Sequence, residues 1–125
     1  MGRRDFVRGK KLNAAQSLAS DFSATSTTVL TMDNIGLIIS TSSVTDNTGT
    51  FAVWVRIKHS DNVNEQSSWA KLTLSAVPTL ANADDVFFIN LNQLPPCELQ
   101  VRFVAAGGTP DGTCDIWLSG TQIGG

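Results

Sequence analysis

Few side chains in this sequence have the chemistry of a catalytic group. His59 is its one histidine, and tyrosine is absent. The order His59-Ser60-Asp61 contains the residue types of a Ser-His-Asp triad, but no Gly-x-Ser-x-Gly turn or other nucleophile signature accompanies it. We therefore expect His59 to be a solvated side chain at the end of a strand. The adjacent Asp84 and Asp85 would point to opposite faces of a strand, so we expect a loop or a helix N-terminus there rather than a carboxylate dyad. The sequence predicts that this protein is not an enzyme.

The two cysteines, Cys97 and Cys114, do not form a Cys-x-x-Cys pair. Without further thiols or a histidine cluster they cannot assemble a zinc site. Gly107-Gly108 lacks the Lys-Ser/Thr and the helix that follow a phosphate-binding loop. We therefore predict no metal and no cofactor. Two buried free thiols are favoured, and the alternative is a disulfide between facing core positions, which assembly in a cytosol disfavours.

Alternation of apolar and polar residues predicts the strands that carry these groups. The clearest strand is GTFAVWVRIKH (49–59), whose odd-numbered residues from Phe51 to Ile57 face the core while Trp54 and Arg56 face outwards. The segment 12–24 fits either a helical turn or an extended lead-in strand. The other predicted strands are 27–32, 35–41, 69–75, 86–92, 97–105 and 114–123. Seven or eight short strands with turn signals between them predict an all-β fold, an antiparallel β-sandwich of jelly-roll type.

Two seven-residue stretches, GTFAVWV (49–55) and GTCDIWL (112–118), share one pattern. In each, a glycine leaves a turn, a threonine starts a strand, and a tryptophan falls on the face opposite the core residues. No longer period recurs, so we interpret them as two equivalent strand starts and not as a domain duplication.

The first twelve residues contain five basic residues and one acidic residue, a net charge of +4, whereas the rest of the chain has four basic and ten acidic residues. The basic residues of this segment are Arg3, Arg4, Arg8, Lys10 and Lys11. We predict a basic N-terminal arm (1–12) followed by a single β-sandwich domain (13–125). Such an arm suits an acidic protein surface or a phosphate backbone. Nucleic-acid binding is disfavoured, because Phe6 is the arm's one aromatic residue and the body is acidic.

The three tryptophans, Trp54, Trp69 and Trp117, all fall on faces opposite the aliphatic residues of their strands, and Arg56 and Arg102 share those outer faces. Three outward tryptophans in a small domain suggest apolar surface that something covers. The cover could come from the same chain, from another subunit in a protein interface, or from a sugar ring stacked on a tryptophan. We predict a subunit interface. Its expected residues are Arg3, Arg4, Arg8, Lys10, Lys11, Trp54, Arg56, Trp69, Arg102 and Trp117.

Five stretches together resemble a group of small structural proteins of tailed bacteriophages. They are AAQSLASDFS (14–23), DNTGTFAVWV (46–55), WAKLTLS (69–75), INLNQLP (89–95) and GTCDIWLSGTQIGG (112–125). The resemblance extends from about residue 14 to residue 125. It implies a virion component, by analogy a capsid decoration or cement protein with a β-sandwich or jelly-roll fold. The sequence departs from the group at Trp54, where a smaller polar residue is commoner.

The resemblance therefore implies a protein that binds the major capsid protein on the outer surface of a phage capsid and stabilises the shell. We expect a homo-oligomer, a trimer in preference to a dimer, assembled in the host cytoplasm. No apolar run reaches the length of a membrane span and no apolar segment follows the basic N-terminus as in a signal peptide, so we expect no membrane partner. The alternatives are a tail, collar or head-fibre component, and a carbohydrate-binding module for host adhesion.

Overall fold

The computed structural model describes residues 3–29, 32–57, 67–91 and 97–124, and these residues form nine β-strands and no helix. The strands are β1 (Arg3–Ser17), β2 (Phe22–Ser23), β3 (Thr27–Val29), β4 (Met32–Thr45), β5 (Thr50–Arg56), β6 (Ala70–Lys71), β7 (Val86–Asn90), β8 (Cys97–Val104) and β9 (Asp111–Gly124). All strand pairs are antiparallel. The predicted all-β fold class is confirmed.

The strands form two packed sheets. Sheet I has the order β1-β9-β4-β7. Sheet II has the order β2-β8-β5-β6, and β3 pairs with β8 beyond the end of β2, so that sheet II is four strands wide. The chain changes sheet after β1, β3, β4, β6, β7 and β8. This alternation between two four-stranded layers is the topology of a jelly roll.

The core lies between the sheets and is built from the inward residues of the long strands. Leu37 and Ile39 of sheet I are fully buried, and so are Phe51 and Val53 of sheet II. The Phe51 ring lies 4.7 Å from the Phe103 ring, centroid to centroid. The alternation of β5, β8 and β9 thus predicts their buried faces correctly, except that Ile57 is 52% exposed because β5 ends one residue before it.

The structure decides between the two alternatives for the segment after the basic residues and shifts several strand boundaries. Residues 12–17 are strand and not helix, because β1 continues to Ser17. The predicted strand 69–75 is regular only at Ala70–Lys71, although the Leu72 N–H still donates to the Val53 carbonyl oxygen at 2.9 Å. The predicted boundary between the arm (1–12) and the sandwich (13–125) falls inside β1, which pairs with β9 from Arg3↔Gly124 to Ser17↔Thr113.

The two glycines of the shared seven-residue pattern are required for different reasons. A Cβ on Gly49 would overlap the ring of Phe103 and the carbonyl oxygen of Val104. Gly112 has a φ of +129°, a backbone conformation that other residues rarely adopt. Beside Gly49, the fully buried Asn47 accepts a hydrogen bond from the Gly49 N–H at 3.0 Å and donates one to the Leu18 carbonyl oxygen at 2.9 Å. The similarity between the two stretches therefore reflects two separately constrained strand starts.

Candidate functional site

Among the described residues, the acidic groups and cysteines that could do chemistry are dispersed or bonded to the backbone. His59 lies outside the described residues. Asp84 Oδ1 accepts a hydrogen bond from the Val44 N–H at 2.8 Å, and Asp85 Oδ1 accepts one from the Val86 N–H at 2.7 Å. Both aspartates therefore fix the loop before β7, in agreement with the predicted loop. Within residues 3–29, 32–57, 67–91 and 97–124, no group of three or more His, Cys, Asp or Glu side chains could hold a metal ion.

The two cysteines are buried and free. Cys97 and Cys114 are each 2% exposed, at inward positions of β8 and β9. Burial raises the pKa of both thiols, and for Cys114 burial together with the neighbouring Asp115 carboxylate raises the pKa to about 12. Both side chains are therefore protonated thiols near neutral pH, where a thiolate would be the reactive form.

The outer face of sheet II brings four of the predicted interface residues together. Trp54 of β5 and Trp69, which directly precedes β6, lie on this face with Arg56 and Arg102. The Arg102 guanidinium lies 4.4 Å from the Trp54 ring centroid and 5.4 Å from that of Trp69, and the Arg56 guanidinium lies 4.4 Å from the Trp69 ring. We call these four residues the Trp–Arg cluster. The arginines of the same chain therefore cover part of both tryptophan rings. Trp54 and Trp69 are each half-buried.

A charged pair anchors one end of the Trp–Arg cluster. Arg56 Nη2 donates to Glu98 Oε1 at 2.9 Å, and their side chains are 21% and 5% exposed. Arg56 and Glu98 are direct partners in the β5–β8 register, which places the two charges side by side. At the other end, Arg102 Nε donates to Gln100 Oε1 at 2.9 Å. The cluster is therefore held by hydrogen bonds and by cation–π contacts. Each cation–π contact contributes about 0.5–2 kcal/mol.

The outer face of sheet I carries a second apolar feature, a row of side chains that crosses three strands. Phe88 of β7 pairs with Ile38 of β4, Ile38 pairs with Trp117 of β9, and Trp117 pairs with Lys11 of β1. Phe88 is 67% exposed, Ile38 39% and Trp117 36%. The Lys11 ammonium lies 4.6 Å from the Trp117 ring centroid and 3.7 Å from Asp115 Oδ2. We call Phe88, Ile38 and Trp117 the apolar row.

Sequence patterning finds only part of the apolar row. It places Trp117 on an outer face, but Ile38 lies in the continuous run IGLII and Phe88 in VFFIN, where alternation does not separate the two faces. Gly36 shows how closely the Phe88 ring approaches β4, because a Cβ added to Gly36 would lie 3.0 Å from that ring. The Phe88 ring therefore lies over a position without a side chain. The one available signal was a glycine inside an apolar strand, which can mark the close approach of another group.

The basic residues of the predicted arm lie along β1 at an edge of sheet I. Lys10 pairs with Leu118 and Lys11 with Trp117 in the register with β9. Arg3 and Arg4 occupy positions paired with Gly124 and Ile123, at the far end of β1, and Arg8 lies between the pairs of Val7 and Lys10, where the register shifts. The five basic residues therefore follow one edge strand. Of the two whose side chains the structure describes, Lys10 and Lys11, Lys11 contacts a predicted tryptophan, Trp117.

None of the described segments contains a helix that could cross a membrane.

Comparison with known proteins identifies a similar fold. A chain in the structure of infectious bursal disease virus, Gx strain, superposes with a TM-score of 0.61 at 14% sequence identity, and the alignment covers 98% of this chain. It covers 33% of that chain, so this protein spans about a third of the length of the viral chain. No family model and no curated protein matches the sequence. The fold defines the class: a jelly-roll β-sandwich, an architecture found in viral capsid and lectin domains.

Proposed function

We propose that this protein is a virion structural protein that binds the outer surface of a capsid and stabilises it, as a decoration or cement protein does. The observation that carries the proposal is the fold, because the jelly roll is shared over nearly the whole chain with part of a protein from a virus particle. The resemblance of five sequence stretches to tailed-bacteriophage structural proteins supports the same conclusion.

Two surfaces favour attachment to a protein shell. The apolar row presents an exposed phenylalanine, isoleucine and tryptophan on one sheet face, and tryptophan is among the residues that most often anchor protein interfaces. The basic edge strand β1 borders this row through Lys11 and complements an acidic shell surface. We therefore propose that the outer face of sheet I contacts the major capsid protein, with Trp117 as an anchor.

The predicted mechanism of stabilisation is bridging. Burial of apolar surface contributes roughly 25 cal/mol per Å² before the cost of association is subtracted. Many copies arranged on a lattice bind more tightly than one copy, since each bound contact raises the effective concentration of the next. A protein that spans neighbouring capsomers then resists the pressure of the packaged genome.

Rebinding to stripped capsids tests the proposal. Purified protein added to capsids that lack it is expected to bind and to raise the temperature at which they rupture. Trp117→Ala should weaken rebinding by about tenfold or more, as the loss of an interface anchor does. Val104→Ala, which removes a 56% exposed side chain from the outer face of sheet II, is the control and should bind as the wild type does. Failure of the wild-type protein to rebind would refute the proposal.

Electron microscopy of the virion separates the remaining alternatives. Density on the capsid faces at the copy number of a lattice component fits the proposal. Density confined to the tail, collar or fibres would identify the protein as a component of those parts. Binding of an oligosaccharide that Trp54→Ala abolishes, with unchanged particle assembly, would instead favour a carbohydrate-binding module.

A further inference from the structure

The edge strand β1 consists of two parts that are separated by a bulge. Among the described residues, β9 is the one strand with which β1 pairs. The register shifts between Val7 and Lys10, where residues 8–9 lie opposite a single residue of β9. An extra residue of this kind interrupts the hydrogen-bond ladder and bends the strand. The bulge divides β1 into residues 3–7, which we call the terminal segment, and residues 10–17.

Side-chain bonds and the core hold residues 10–17 in place. Asp115 Oδ1 accepts a hydrogen bond from the Ala15 N–H at 2.7 Å, and Asn13 Oδ1 accepts one from the Thr25 N–H at 3.1 Å. Leu18, which directly follows β1, is fully buried. Separation of residues 10–17 from β9 would therefore break these bonds and disturb the core.

The terminal segment can separate without removing β9 from the sheet. It pairs with residues 120–124 at five consecutive positions, from Arg3↔Gly124 to Val7↔Gly120. On its other side this part of β9 pairs with β4, at Met32↔Gln122 and Asp33↔Thr121. Release of the terminal segment would uncover the edge of residues 120–124, and an uncovered edge is a template for another strand. The best-matched strand is the terminal segment of a second copy, because the chain already shows the register in which the two sequences pair.

We infer that two copies of this chain exchange their terminal segments, so that residues 3–7 of each copy pair with residues 120–124 of the other. Residues 8–9 are the hinge, and Gly9 lets the backbone change direction there at little steric cost. The five residues of the terminal segment span about 17 Å as a strand, which is the reach of the opened segment from the hinge. Reciprocal exchange closes about a two-fold axis and gives a dimer.

The exchange keeps every strand pair of the closed monomer. Each pair within one chain is replaced by the same pair between two chains, so the opposing term is the cost of bringing two molecules together. The dimer is therefore favoured at high concentration, including the millimolar effective concentration of neighbours held close together in an assembly. The basic first twelve residues of one copy also meet an acidic remainder in the other, so charge does not oppose the exchange. This inference holds whether or not the protein binds a capsid, and it predicts a dimer where the sequence favoured a trimer.

Cysteine cross-linking tests which part of β1 is exchanged. The double variant Arg4→Cys, Ile123→Cys places two thiols at paired positions, where the Cα separation of about 4.5–5.5 Å suits a disulfide. The double variant Ser17→Cys, Thr113→Cys does the same beyond the hinge and is the matched control. Mild oxidation of concentrated protein should give covalent dimers of the first variant and intramolecular disulfides in the second. Intramolecular disulfides in both variants at every concentration, or equal yields of covalent dimer from both, would overturn the inference.

Sedimentation equilibrium tests the association with the same Arg4→Cys, Ile123→Cys variant. Oxidation in dilute solution locks the terminal segment to its own β9 and traps the closed monomer. The reduced variant should form dimers as its concentration rises into the millimolar range, whereas the locked form should remain monomeric. A reduced variant that stays monomeric, or a locked form that dimerises equally well, would contradict the inference. Both experiments use the isolated protein, so their failure is distinguishable from a failure to bind capsids.

Discussion

At the scale of single residues, several polar side chains stabilise this sandwich by bonding to backbone groups or to an opposite charge. Asn47 is fully buried and ties the start of β5 to the end of β1 through the Leu18 carbonyl oxygen. Asp84 and Asp85 satisfy backbone N–H groups around the start of β7. Glu98 neutralises Arg56 under the ring of Trp69. The pairings of Asn47, Asp84 and Asp85 avoid the cost of a buried polar group without a partner, which is roughly 1–3 kcal/mol. Arg56 is paired through Nη2 but keeps a buried Nε without a hydrogen-bond partner.

Removal of one charge from the Arg56–Glu98 pair should be costly. Glu98→Ala leaves the Arg56 guanidinium largely buried without its carboxylate, and we expect the free energy of unfolding to fall by about 3 kcal/mol. The double variant Arg56→Met, Glu98→Leu should recover most of this loss, because an apolar pair requires no compensation. Denaturant unfolding at neutral pH measures both variants.

The exposed ion pair of Lys11 with Asp115 provides the control for this experiment. Its side chains are 37% and 39% exposed, so Lys11→Met should cost less than about 1 kcal/mol. If Glu98→Ala were no more destabilising than Lys11→Met, the Arg56–Glu98 pair would have no special role in stability.

Cys114 should make the protein sensitive to alkaline pH. Its thiol has a pKa of about 12 in the folded state, against 9.0 for an ordinary thiol. Between these values the folded state retains a proton that the unfolded state has lost, so stability falls as pH rises, by about 1.4 kcal/mol per pH unit at most. Below pH 9 this contribution is constant. Cys114→Val removes this titrating group and should reduce the slope measured by denaturant unfolding from pH 8 to pH 11, while Cys97, whose pKa burial also raises, continues to contribute. An identical slope in the variant would contradict the assignment.

At the scale of elements, alternation predicts strands best where one face is buried and the other is polar. The strands β5, β8 and β9 meet this condition, and their buried residues follow from the sequence. The WAKLTLS segment is regular strand only at Ala70–Lys71, and beyond them the Leu72 N–H makes one further hydrogen bond to Val53 of β5. Alternation does not predict the other two members of the apolar row, because their strands have no polar face. Its Ile38 and Phe88 lie in strands that are apolar on both faces, so hydrophobicity alone gives no direction.

The basic segment is part of strand β1, so we expect its removal to lower the stability of the sandwich. A chain that lacks residues 1–9 loses the pairs from Arg3↔Gly124 to Val7↔Gly120 and uncovers that part of β9. We expect the melting temperature, measured by calorimetry, to fall by a few °C. The triple variant Arg3→Gln, Arg4→Gln, Arg8→Gln removes charge but keeps the backbone pairs, so its melting temperature should match the wild type. An unchanged melting temperature of the truncated chain would show that these pairs add nothing to stability.

At the scale of the whole molecule, the two sheets offer different outer surfaces. Sheet II has its tryptophans partly covered by its own arginines, whereas Phe88 of sheet I stays 67% exposed. The sequence located the tryptophans but not this difference, because it depends on which strands become neighbours across the jelly roll.

The pairing of Arg3 with Gly124 brings the two described extremes of the chain together at one corner of the sandwich. Paired residues in neighbouring strands lie about 5 Å apart, so Arg3 and Gly124 mark one pole of the β1–β9 pair. The exposed turn 106–109 lies at the opposite end of β9, and exposed turns of small and polar residues tolerate insertions. A peptide attached beside Arg3 or Gly124 and another inserted in this turn would project from opposite ends of β9. The fold thus offers two independent sites for attached cargo on a single small scaffold.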